Sequence, residues 1–182
     1  MKENLGAIIK ASAITLVVYI GFYTLWGAVA NEIASEELKL IAVALVSSFV
    51  FAYVLLRTVK NKRFIGESEI LSDYKDRKYT SPINDIKLAF RREVGLLLCI
   101  TAVVFACYFL HGIDRLLAFD KRVISLPTFV FAPMCLFSEV VKVPFLGYVI
   151  SAAVDCTAYI ILLLIYRRNT YKRTQKNKRN PY

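Results

Sequence analysis

Apolar residues gather into four long runs, at about 7–30, 40–56, 94–113 and 144–166. Between them lie a short acidic connection, a long charged stretch and an apolar stretch broken by two prolines. The last run, from Pro144 to Tyr166, has 23 residues. As a helix it would extend roughly 35 Å at 1.5 Å per residue, enough to cross a hydrocarbon core of about 30 Å. In lipid the backbone has to satisfy its own hydrogen bonds, so runs of this length predict helices. The first run, led by Lys10, continues to Ala30 without a small-residue cleavage pattern and is expected to be a retained span. Tyr23 and Trp26 near its other end suit the headgroup level, where amphipathic rings act as anchors.

Within the second run, Ala44, Ser48 and Ala52 recur at every fourth position, a spacing that lets helices approach closely in lipid. Gly95, Cys99, Ala102 and Ala106 give the third run a partly small face. Ahead of it, Ser81-Pro82 predicts a helix start, with Ser81 as N-cap and Asp85 in the first turn. Ile83, Ile86 and Phe90 then share a face opposite Lys87 and Arg91, the pattern of a short helix lying on the membrane surface. From Val123 to Ser138 the chain is apolar for 16 residues but carries Pro127 and Pro133. Each proline removes a helix donor and disfavours the α region for the residue before it, so broken or re-entrant backbone is expected there.

The predicted fold class is therefore all-α. It is a polytopic membrane protein with four transmembrane helices, an interfacial helix before the third and a proline-broken re-entrant or interfacial segment before the fourth. Residues 1–166 form one membrane domain, with a cytoplasmic connection at 57–93 and an outer segment at 114–143. Residues 167–182 form a basic tail without aliphatic residues, expected to be disordered.

Charge supplies the orientation. Alternating the loops between two sides puts 19 of the 24 Lys and Arg residues with the two termini and the 57–93 stretch. The positive-inside rule then places both termini in the cytoplasm, in the cell membrane. A fifth span through Val123–Ser138 would carry the basic tail outside, which argues against it. The net charge of +10 thus lies where basic residues gain roughly 1 kcal/mol each from anionic lipid. Anionic lipid of the cytoplasmic leaflet, and not nucleic acid, is the expected partner of Arg167, Arg168, Lys172, Arg173, Lys176, Lys178 and Arg179.

One acid interrupts the last run. Asp155 sits at its middle, where an ionised carboxylate costs on the order of 2.5–3.5 kcal/mol on insertion scales, so it should face protein or water. Gly147, Ser151, Asp155 and Ala158 share one helix face, and Tyr19, Ser47, Ser48 and Thr101 fall at similar depth on the other spans. Together Asp155, Ser151, Thr101, Ser47, Ser48 and Tyr19 make up a candidate intramembrane polar site. Lys10 and His111, near opposite surfaces, are weak partners for the acid.

The four cysteines include no CxxC, and the lone His111 has no Cys or His at ligand spacing, so no metal or cofactor is expected. No nucleophile motif, HExxH or Gly-rich phosphate loop supports catalysis. The leading expectation is a small membrane protein acting by association, as a partner subunit or as a self-assembling bundle. The alternative is a transporter or channel component using Asp155 as a buried proton or cation site, and a membrane enzyme ranks third.

Overall fold

The computed structural model describes residues 2–30, 36–63, 82–117, 126–141 and 143–179, all of them helical or in short turns between helices. Four long helices carry the chain: α1 (Lys2–Ala30), α2 (Glu36–Arg63), α3 (Pro82–Leu117) and, after a broken segment, α6 (Pro144–Arg179). Each contains a stretch long and apolar enough to cross a membrane: Glu3–Leu25, Leu38–Val59, Ala89–Ile113 and Pro144–Thr170. Exposed Val17, Leu25, Leu98 and Phe109 present apolar surface outward, as a lipid environment requires.

The broken segment consists of α4 (Leu126–Phe131), a 3-10 turn (Ala132–Cys135) and α5 (Phe137–Val140). Pro133, at the start of the 3-10 turn, has no N–H to offer an α-helical ladder. No piece of this segment is long enough to span. After α5 the backbone leaves the helical region at Val141 (φ −93°, ψ 121°), and α6 begins at Pro144.

Helix α1 packs on α2, α2 on α6, and α6 on α3, so the bundle runs α1–α2–α6–α3. Helix α4 touches both α1 and α3, while the 3-10 turn touches all four long helices, closing the side that the long helices leave loosely packed. The turn is well covered: Pro133, Met134 and Cys135 are buried. At its far end, α5 rests on α6 where Gly147 has no side chain to hold it off.

Small-residue spacing explains α2. Ala44, Ser48 and Ala52 are all buried, as their four-residue repeat predicts. On α3 the small face turns outward instead: Gly95, Ala102 and Ala106 are exposed, while Leu96, Ile100, Val104 and Cys107 point into the bundle. In lipid the inward stripe is chosen by van der Waals packing and not by removal from water, and here the larger side chains fill the bundle.

Two expectations are modified. The stretch from Pro82 to Glu93 does not form a separate helix but is the first part of α3, which starts at Pro82. Nothing between it and the span breaks the ladder. Ser81, its expected cap, lies outside the described residues, as do the 64–81 part of the polar connection and the side chain of Trp26. The tail, expected to be disordered from Arg167 onward, continues α6 as helix to Arg179. It contains no Gly, and its single proline, Pro181, falls beyond the helix end.

Candidate functional site

The inward face of α6 is set by four- and three-residue steps. Ser151, Asp155 and Ala158 are buried along it, and Asp155 has no exposed surface at all. Ser47 and Ser48 of α2 are buried as well. The Ser48 side chain approaches Asp155 from α2, but outside hydrogen-bonding geometry. Both carboxylate oxygens of Asp155 and the hydroxyl of Ser151 lack a hydrogen-bond partner among the described residues. A buried polar group without a partner costs about 1–3 kcal/mol, so three such atoms together are unusual in a packed interior.

The 3-10 turn supplies the cover. Met134 is 1% exposed, and its sulfur accepts a hydrogen bond of 3.1 Å from the Ser12 hydroxyl of α1. Ser12 lies near the middle of Glu3–Leu25, so the turn reaches the central level of the bundle. Its neighbour Cys135 lies within electrostatic range of Asp155 and belongs to the same buried cluster as Cys107 of α3. The acid is thus enclosed by α2, α6 and a segment that is itself held by α1.

Of the residues expected around Asp155, Ser151 and Ser48 are brought to it and Ser47 is buried one position away. Thr101 and Tyr19 are not. The Thr101 hydroxyl donates to the Leu97 carbonyl at 3.0 Å and stands 3.9 Å from the Cys156 sulfur. It lines an open apolar groove of about 400 Å³ between α3 and α6, along with Phe90, Leu98, Phe105 and Cys156. Cys156 follows Asp155 in sequence, so it points about 100° further round the helix. Tyr19 packs with Phe22 on a separate apolar cluster of Val43, Ala44, Leu136 and Phe137, its ring 5.9 Å from that of Tyr23. Lys10 is exposed on α1 and His111 lies towards the end of the third span, so neither pairs with the acid.

Ser12, Met134 and Cys135 belong to the surroundings of the site although their sequence positions did not mark them. For Ser12 a signal existed. Ala7, Ile8, Ala11, Ser12 and Thr15 recur at helical spacing and form the buried face of α1.

A second polar contact links α3 and α6. The hydroxyl of Tyr159, fully buried, donates to a carboxylate oxygen of Glu93 at 3.4 Å. Further along the same face of α6, Arg167 and Thr170 are buried, at 6% and 9% exposure. Arg167 is therefore not a lipid-facing residue of the tail, because the steps Tyr159, Leu163, Arg167 keep it on the packed stripe. Arg168 and Lys172 are exposed; the side chains of Arg173, Lys176, Lys178 and Arg179 lie outside the described residues. Among the described residues, no three His, Cys, Asp or Glu side chains lie together in a way that could hold a metal ion.

Compared with known proteins, the chain matches no family model, no curated protein and no solved structure.

Proposed function

We propose that the chain is a transporter or channel component of the membrane, in which Asp155 is a buried proton site. One observation carries this reading: a carboxyl with no exposed surface whose two oxygens, like the adjacent Ser151 hydroxyl, have no hydrogen-bond partner among the described residues. A carboxyl kept only to join helices would spend those oxygens on hydrogen bonds. One kept to meet a group on another subunit would open toward lipid, whereas Asp155 is covered by its own chain. Intramembrane acids of this kind mark proton and ion routes. The 126–140 segment is then a re-entrant cover, its polar backbone tolerated at depth because protein encloses it.

The test is proton flux into liposomes holding a pH-sensitive dye, driven by an imposed membrane potential. Wild-type protein should raise the flux above that of empty vesicles, and Asp155→Asn should abolish the increase while reconstituting normally. Equal flux through the two proteins would overturn the proposal.

Orientation enters the same proposal. Both termini are assigned to the cytoplasm because 19 of the 24 basic residues then share that side. Exposed Arg168 and Lys172 on the α6 extension rest on anionic headgroups, and exposed Ile86 and Phe90 hold the start of α3 at the interface.

A second reading, action by association, is favoured by the outward small-residue face of α3, where Gly95, Ala102 and Ala106 leave room for another helix. Crosslinking in intact membranes should then trap a second copy or a partner protein, and Ala102→Leu should suppress it. Recovery of the wild type solely as an uncrosslinked monomer would dismiss this reading.

A further inference from the structure

The open groove of about 400 Å³ between α3 and α6 is lined on α3 by Phe90, Val94, Leu98 and Phe105, and on α6 by Ala152 and Cys156. Its two polar side chains are turned to protein. The Thr101 hydroxyl and the Cys156 thiol both donate to the Leu97 carbonyl, at 3.0 Å and 3.9 Å, so the surface they leave is apolar. From Phe90 to Phe105 the groove climbs about 22 Å at 1.5 Å per residue, more than the roughly 15 Å of hydrocarbon in one leaflet. It is long enough for a whole acyl chain.

One end of the groove is charged. Lys87 lies one helical turn before Phe90 and two before Val94, so it continues their stripe, and Arg91 stands likewise to Val94 and the outward Leu98. Both basic side chains are exposed, and neither is paired with an acid among the described residues. Like charges one turn apart repel, so this pair calls for an anion. Glu93 does not supply it, being buried and accepting from Tyr159. A second open groove, of about 310 Å³ between α2 and α6, differs at this point. On α2, Arg57 is engaged by Tyr53, donating to its hydroxyl at 3.3 Å with the guanidinium 5.8 Å from the ring centre.

We propose that the α3–α6 groove binds one anionic glycerophospholipid, an acyl chain lying along it and the phosphate held by Lys87 and Arg91. An apolar trough with unneutralised positive charge at one end complements a molecule whose charge and hydrocarbon are joined in the same order. The site requires the start of α3 to meet a headgroup surface, as in the orientation proposed above, and does not depend on the role of Asp155.

The experiment uses the full chain in vesicles of phosphatidylcholine and phosphatidylglycerol, with a photoactivatable group on the acyl chain of one lipid or the other. After illumination, mass spectrometry should find the phosphatidylglycerol probe on peptides carrying Leu98 and Cys156, with an excess over the phosphatidylcholine probe of about tenfold, the scale set by two basic side chains at a headgroup. The double variant Lys87→Gln, Arg91→Gln changes exposed positions alone and should bring the two probes level. Ala153→Phe, at an exposed position on the groove, should reduce labelling by both. Equal labelling of the wild type by the two probes, or an excess that survives the double variant, would overturn the assignment. So would a photoactivatable residue in place of Leu98 that captures a second copy or another protein instead of lipid.

Discussion

Gly147 passes so close to Ser138 that a Cβ on it would stand 2.5 Å from the Ser138 Cα and 3.0 Å from the Phe137 carbonyl oxygen. Those neighbours are backbone, so they cannot swing aside as the tip of a side chain would. The contact fixes where the short α5 lies on α6 and hence the position of the turn before it.

Gly147→Ala should therefore destabilise the protein. Helix propensity alone would favour Ala by about 1 kcal/mol, but overpacking typically costs about 1–3 kcal/mol and wins where backbone must move. A lower unfolding temperature in detergent is expected, with faster maleimide labelling of Cys135. Gly21→Ala is the control, since nothing lies within 4 Å of its absent Cβ, and it should be neutral or stabilising.

Asp155→Asn and Asp155→Leu should leave the unfolding temperature unchanged or raise it. No hydrogen bond is lost with either, because the carboxylate oxygens have no partner among the described residues. Replacing an unsatisfied buried polar group with an apolar one of similar size is neutral or favourable. A marked drop in thermal stability for both variants would show that the carboxyl serves packing.

Met134→Ala should cost about 2–5 kcal/mol, the range for truncating a fully buried side chain, and Ser12→Ala about 1 kcal/mol for its single bond to that sulfur. Chemical unfolding in mixed micelles would rank them. If Ser12→Ala proved as damaging as Met134→Ala, the hydroxyl would have a role beyond that bond.

Tyr159→Phe removes the hydroxyl that donates to Glu93 and keeps the ring that fills the core. A loss of about 0.5–1.5 kcal/mol is expected. Adding Glu93→Gln to that variant should restore little, because a Phe ring offers the new amide no hydroxyl. Thermal melts of the two single variants and the double variant supply the cycle.

Much of this arrangement was legible along the chain. Asp155 stood out because a lone acid in an apolar run has to be sheltered, and the four-residue steps through Ser151 and Ala158 correctly told which face it shares. Pro127 and Pro133 announced broken backbone. They carried no information on where the break would lie, so Met134 could not be assigned to Ser12. Thr101 and Tyr19 show the complementary limit: counting residues from a span's end gives height, while rotation about the helix axis depends on which stripe packs best. For Arg167 the spacing from Tyr159 and Leu163 held the answer, but its basic neighbours made it look like part of a solvated tail.

Helix α6 runs without interruption from Asp155 to Arg179. At 1.5 Å per residue that is an arm of about 36 Å, whose last turns are rich in Lys and Arg. A tilt of about 10° pivoting at the acid would sweep that end sideways by about 6 Å by the same geometry. If Asp155 is the proton site proposed above and the basic end of α6 faces the cytoplasm as proposed, proton uptake in the interior would be felt as a displaced cluster of positive charge at that surface.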